Sequence, residues 1–228
     1  MKKLSTVGIC VDVDGTLYSV SKWKIAWKLR KRLALLRTMY RTREEMRTDA
    51  AAFLTHQEFL ETEAQKVAEK LMMSASEVSV QLADLKSRLV EVMTLNARPF
   101  AGVLECLEWA VSNGAVIAVL SDYAPREKLE NLGLDELDWS GRIGAEECGA
   151  LKPNSAGFDA VKKKCGENIS TWIYIGDRVD TDILGAKSSG FVPILFSSDK
   201  TSEATYRIKN WKLASFQSVI GEILASEA

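Results

Sequence analysis

Val11-Asp12-Val13-Asp14-Gly15-Thr16 closes an apolar run that starts at Val7. The run has the length of a buried strand, and side chains two apart along a strand share a face. Asp12 and Asp14 therefore leave the strand end together. Two anions held that close repel, and one carboxyl resists ionisation unless a cation joins them. A pair that shares a metal, or that divides into a nucleophile and a proton carrier, gives this cost a use. The plainer reading is a strand entering an Asp-Gly turn, which both residues favour. The rest of the chain decides between the two.

The chain has 228 residues, enough for one large domain or one domain with an insertion. Lys and Arg number 30 against 31 Asp and Glu, so the whole-chain charge selects no polyanion partner. Cys10, Cys106, Cys148 and Cys165 lie far apart and form no Cys-x-x-Cys pair. That usage fits a reduced, cytoplasmic setting without a zinc site or a disulfide framework. Met1-Lys2-Lys3 resembles the opening of a signal peptide, but Asp12 and Asp14 break the apolar run behind it. No apolar stretch approaches the roughly 20 residues that span a bilayer.

Glycine and proline divide the chain. All but Gly8 and Gly15 of the 14 glycines, and all 4 prolines, lie from residue 99 onward. The gap between Gly15 and Gly102 reads as helices with few tight turns. Ile25, Leu29, Leu33, Leu36 and Tyr40 make one helical face, and Leu60, Ala64, Val67 and Leu71 make a second. Val78, Leu82, Leu85, Leu89 and Val92 make a third. Thr55-x-x-Glu58 and Ser74-x-x-Glu77 have the form of capping boxes that open the second and third helices.

From residue 99 the pattern alternates. Helices are expected over 103–111, 125–131, 154–165 and 180–188, with strands over 115–120, 172–175 and 191–196. Arg142-Ile143 suits a short strand, 211–213 another, and 216–224 a closing helix. Alternation of this kind builds a parallel sheet with helices on both faces. Ligands then bind beyond the carboxyl ends of the strands. Here those ends carry Asp12 and Asp14, Ser121 and Asp122, and Gly176 and Asp177.

Taken in order, Asp12-Val13-Asp14-Gly15-Thr16, Ser121 after an apolar strand, Lys152 in Leu151-Lys152-Pro153, and Gly176-Asp177-Arg178-Val179-Asp180-Thr181-Asp182 resemble the signature positions of the haloacid dehalogenase-like (HAD) hydrolase superfamily. The likeness covers residues 1–18 and 98–200. The resemblance implies an α/β fold: a Rossmann-like parallel sheet core with helices on both faces, from residues 1–18 and 98–228, plus a smaller all-helical cap domain over 19–97. It implies a magnesium-dependent phosphatase that hydrolyses a small phosphomonoester through an aspartyl-phosphate. Asp12 would be the nucleophile and Asp14 the acid that protonates the leaving oxygen and then activates water. Magnesium would be held by the Asp12 side chain, the Asp14 backbone carbonyl and the Asp177 side chain. Ser121 and Lys152 would bind the phosphoryl oxygens.

Each position has a plainer reading. Ser121 suits a strand-end cap and Lys152 a lead into a helix. Asp180 and Asp182 suit first-turn acids that complement a helix dipole as well as metal or supporting roles. His56 reads as a surface residue, and Trp23 and Trp27, four apart, as packing residues. Two features depart from the family pattern. Asp122 follows Ser121 where many relatives have Asn or Thr, so its side chain is expected to turn away from a phosphate. Between Ser21 and Ala50 there are ten Lys or Arg against Glu44, Glu45 and Asp49. That stretch is either a solvated helix face or a basic surface for a polyanionic substrate, a nucleic acid or an anionic membrane. A phosphomutase of the same architecture would keep the same residues. A non-catalytic protein binding through the basic helix would not need the intact acid pair and Lys152.

Overall fold

Val7–Val11 (β1) is buried along its whole length, and its side chains alternate between two apolar layers. Val7, Ile9 and Val11 face one cluster and Cys10 faces another. A strand buried on both faces belongs inside a parallel sheet covered by helices. The computed structural model describes residues 4–48, 55–166, 168–198 and 204–227. The leader-like start at Met1 to Lys3 and Asp49 of the basic stretch lie outside the described residues.

The sheet has six parallel strands in the order β3-β2-β1-β4-β5-β6. After β1 these are β2 (Val116–Ser121), β3 (Trp139–Gly144), β4 (Thr171–Gly176), β5 (Val192–Phe196) and β6 (Tyr206–Ile208). The chain steps outward from β1 to β3, then returns to lay β4 on the other side of β1. The strand order therefore reverses between β1 and β4, and a crevice opens at their carboxyl ends. Val11 pairs with Val119 on one side and Ile175 on the other, which brings the ends of β1, β2 and β4 level.

One face is covered by α5 (Val103–Ser112), through Cys106, Leu107 and Ala110, and by α9 (Leu213–Ser226), through Phe216, Ile220 and Ile223. The other is covered by α7 (Ser155–Cys165), through Phe158 and Val161, and by α8 (Leu184–Ser188), through Ala186. Pro125 caps α6 (Arg126–Leu132), and Gly133 ends it in the left-handed region at φ +66°. These elements match the alternation in the sequence, with two differences. A π-helical turn over Val179–Ile183 precedes α8 where a continuous helix is expected. Where a strand is expected at 211–213, Trp211 and Lys212 are a loop and Leu213 opens α9, and β6 lies upstream at the sheet edge. Trp211 pairs with no strand; its ring is buried and its Nε1 donates to the Thr16 carbonyl at 2.9 Å. It thereby braces the turn that carries Asp14.

Between β1 and β2 the chain is helical: α1 (Lys22–Lys28), a 3-10 turn (Arg30–Arg32), α2 (Leu33–Thr48), α3 (His56–Leu71) and α4 (Ala75–Thr94). The first expected helix is thus two, broken at the 3-10 turn. Thr55 and Glu58 form both halves of a capping box, while Ser74 accepts from the Glu77 amide. Ile25, Leu29, Leu36, Met39, Val67, Leu82, Leu85 and Leu89 bury a separate cap core. Tyr123, on the loop after β2, packs into that core and seats the cap over the sheet. His56 is exposed, as read from sequence.

Candidate active site

Asp12 stands one residue beyond β1, with its amide donating to the Ile175 carbonyl at 2.8 Å. The residue is 5 % exposed. Lys152 Nζ donates to Asp12 Oδ1 at 2.6 Å, and Thr16 Oγ1 donates to Oδ2 at 3.2 Å. The same ammonium donates to Asp182 Oδ1 at 2.6 Å and to the Tyr174 hydroxyl at 3.0 Å. Burial works against the charge on Lys152, but Asp12 and Asp182 outweigh it and keep the ammonium protonated beyond its ordinary range. Burial pushes the Asp12 carboxyl up, only partly offset by Lys152, and Asp182, Asp14 and Asp177 add to the rise.

The strand geometry puts Asp14 beside a second cation. Lys128 Nζ donates to Asp14 Oδ2 and, at 3.1 Å, to the Ser121 hydroxyl. Ser121 Oγ donates to Asp14 Oδ2 at 3.4 Å, and the Tyr18 hydroxyl donates to Oδ1 at 2.6 Å. Burial and the neighbouring Asp14 raise the Tyr18 pKa, which keeps its hydroxyl a donor. Asp14 and Asp12 therefore each have an ammonium of their own. Lys128 is not among the residues that the sequence singles out. It sits between Glu127 and Leu129 in α6, where a charge reads as a solvated helix face.

Asp177, just past β4, lies against the backbone of Gly15. A Cβ on Gly15 would collide with the Asp177 carboxylate, and its φ of +92° is one that side chains rarely adopt. Glycine at this point lets the two loops close on each other. Burial first, then repulsion from Asp182, raises the Asp177 pKa to about 6. Asp182 is 1 % exposed because the π-helical turn folds it back, where Oδ2 accepts from the Arg178 amide at 3.0 Å. Single π turns often mark functional sites. Asp180 stands outside this group, exposed and paired with Arg178 at 2.6 Å.

Asp12, Asp177 and Asp182 offer carboxylate oxygens that all lie within 4.8 Å of one another. In all, four carboxylates (Asp12, Asp14, Asp177, Asp182) meet two ammonium groups (Lys128, Lys152) here. Oxygen donors in surplus negative charge suit a hard divalent cation such as magnesium. The residues present therefore fit the metal that the sequence implies, with Asp182 joining Asp12 and Asp177.

The cluster opens into a cavity of about 700 Å³ between sheet and cap. From the cap, Lys22, Tyr40, Arg43 and Arg47 border it. Asp122 borders it too, with its carboxylate held by partners that the sequence did not disclose. Arg47 Nη2 donates to Asp122 Oδ2 at 2.5 Å, and the Lys152 amide donates to Oδ1 at 3.1 Å. Burial opposes its ionisation, but Arg47 and Lys152 hold its pKa down to about 2. Arg47 also donates to the Lys152 carbonyl. Behind it, Arg43 Nε donates to Glu63 at 2.6 Å and Nη2 donates to Glu146, while Lys86 lies 2.7 Å from Glu63 and 3.1 Å from Glu146. The Arg43 guanidinium also lies 4.3 Å from the Tyr123 ring centre. A groove of about 760 Å³ between α3 and α4 brings together no comparable chemistry.

Trp23 and Trp27 differ from expectation. They are 78 % and 54 % exposed, so neither is a packing residue.

Residues 7–190 match the family profile of the haloacid dehalogenase-like hydrolases. The ribulose-1,5-bisphosphate 5-phosphatase of Halopiger xanaduensis is 32 % identical over 105 residues, 44 % of this chain and 43 % of that protein. The phosphoglycolate phosphatase of Caulobacter vibrioides is 33 % identical over 112 residues, 46 % of this chain and 45 % of its own. The chain thus spans less than half the length of the curated relatives it matches. Among solved structures, the magnesium-bound HAD-hydrolase YfnB of Bacillus subtilis superposes with a TM-score of 0.65 at 15 % identity, covering 95 % of this chain and 99 % of that one. CbbY from Rhodobacter sphaeroides, solved with phosphate, gives 0.60 at 15 % identity over 92 % and 98 %. At these identities the likeness is one of fold.

Proposed function

The chain belongs to the haloacid dehalogenase-like hydrolases, and from that membership we propose that it is a magnesium-dependent phosphatase acting on a small phosphomonoester through an aspartyl-phosphate. The observation that carries this reading is the pair of aspartates, each with its own ammonium, at the crevice between β1 and β4. In this reading residues 1–18 and 98–228 are the catalytic unit, and 19–97 are the cap that closes over the substrate.

An Asp12 oxygen attacks phosphorus, an Asp–O–P bond forms, and the P–O bond to the leaving group breaks. Lys152, bound to the other Asp12 oxygen, fixes the carboxylate for attack. Asp14, a carboxylate that accepts from Lys128 and Tyr18, takes up a proton as the substrate enters and gives it to the leaving oxygen. It then takes a proton from the water that cleaves the acyl-phosphate. Tyr18 and Lys128 hold Asp14 in place for both transfers. Ser121 and Lys152 are the donors toward the phosphoryl oxygens. Asp12, the Asp14 carbonyl and Asp177, with Asp182 beside them, would hold magnesium, which would neutralise charge between the anionic nucleophile and the anionic phosphate.

The names of the relatives point to phosphorylated hydroxy acids and sugars. The four unpaired cysteines support a reduced, cytoplasmic setting. The test is phosphate release from a panel of small phosphomonoesters, with magnesium and with a chelator. Release that requires magnesium is expected. Isomerisation of a sugar phosphate without net phosphate release, or no turnover of any phosphomonoester, would overturn the proposal.

A further inference from the structure

Trp23 and Trp27 stand four residues apart on α1, so they share one side of that helix, while Ile25 and Leu29 are buried beneath it. A large indole left in water is unusual for a folded chain, and two side by side mark a surface that meets something. The surroundings are cationic. From Gly15 to Arg43 the sequence holds no acid. Lys22, Lys28, Arg30, Lys31, Arg37 and Arg41 are exposed there. Lys28 and Arg30 lie 5.3 Å and 5.5 Å from the Trp27 ring centre. The less exposed basic residues have partners: Lys24 donates to the Leu95 carbonyl, and Arg32 pairs with Asp84.

From this juxtaposition we infer that α1 and the 3-10 turn after it form a docking ridge for an anionic phospholipid bilayer. Indoles settle at the boundary between headgroups and acyl chains, with an apolar body inward and an N–H in contact with water. Lys and Arg around them meet the anionic headgroups, each adding attraction near the surface. Nucleic acid also takes cations and aromatics, but it stacks its bases along a groove. Trp23 and Trp27 line neither the catalytic cavity nor the α3–α4 groove. Among the described residues no helix is long and apolar enough to cross a membrane, so the contact would be peripheral and reversible. Lys22 opens α1 and also borders the catalytic cavity, so a docked ridge would hold the cavity beside the bilayer.

The experiment is co-sedimentation of the whole protein with phosphatidylcholine vesicles, with and without about 25 % phosphatidylserine. Binding should require phosphatidylserine and fade as salt is raised. Tryptophan emission should shift to the blue on binding, because the other four indoles are buried or half-buried. The double variant Trp23→Ala/Trp27→Ala, and separately Lys28→Glu/Lys31→Glu, should each weaken binding at least about tenfold. Unchanged thermal unfolding would confirm that both variants remain folded. Equal binding to both vesicles, undiminished binding by the tryptophan variant, or binding to short RNA or DNA in place of vesicles would each overturn the inference. None of these readouts depends on turnover, so the result stands apart from the phosphatase proposal.

Discussion

Two buried ionic clusters reach the cavity between sheet and cap, and they are built from similar parts. Around Arg43 and Lys86, two cations meet two carboxylates, Glu63 and Glu146. Around Lys152 and Lys128, two cations meet four carboxylates. The first set is balanced: burial opposes ionisation of Glu63, yet Arg43 and Lys86 keep its pKa below the ordinary value. The second is in deficit, and its acids Asp12 and Asp177 are pushed up. Balance serves assembly, joining α2, α3 and α4 to the loop after β3. Deficit, on the function proposed above, makes a site that would attract a metal and position a nucleophile. The distinction lies in the net count, since burial and residue types are much the same.

The strongest way to break this comparison is to neutralise one acid on the unbalanced side. Asp12→Asn should lower turnover by on the order of 10⁴-fold, while thermal unfolding stays close to that of the parent. A variant that keeps most of its activity would remove Asp12 from the role of nucleophile. The converse holds on the balanced side. Arg43→Met strands Glu63 and Glu146 with Lys86 alone, and breaking such a buried cluster costs about 3–5 kcal/mol, read by denaturant titration. Pairing it with Glu63→Leu should recover part of that loss, because the two residues are coupled. A cost below about 1 kcal/mol would mean that the cluster does not hold cap to core.

A smaller effect sharpens the boundary between the two clusters. Asp122 is held at about 2, below its ordinary 3.8, by Arg47 and Lys152. A carboxyl with a depressed folded pKa contributes stability that is present above its unfolded value and is lost as pH falls toward the folded one. The stability difference between the parent and Asp122→Asn should therefore be full at pH 5, at about 2 kcal/mol, and shrink toward about pH 2. A difference independent of pH would show that Asp122 acts through something other than its charge.

The unbalanced side was largely legible in the sequence. Asp12, Asp14, Ser121 and Asp177 sit at strand ends, and strand alternation with the turn residues that follow locates strand ends well. Asp182 was half legible: a first-turn acid and a metal neighbour look alike until a π turn folds one of them inward. The balanced side was hidden. Arg43 is one of ten cations in its stretch, and no periodicity separates it from its exposed neighbours. Its partner Glu146 is 103 residues away. Lys128 was hidden for the same reason. Trp23 and Trp27 misled because indoles usually end in a core. Trp211 misled because Trp211-Lys212-Leu213 alternates apolar and polar as a strand does, whereas the true edge strand, Tyr206–Ile208, is only three residues long.

Lys152 is gripped at both ends. Its ammonium holds Asp12, and its own carbonyl receives Arg47 from the second cap helix. Swinging the lid outward would withdraw Arg47 from that peptide and loosen the lysine that holds Asp12, the proposed nucleophile. Closure and reactivity would then be a single event: the open enzyme would admit and release molecules with a slack, poorly aimed carboxylate, and only the shut one would be armed. Such coupling guards against wasteful attack on whatever drifts past the entrance, and it requires no signal beyond the fit of the molecule enclosed.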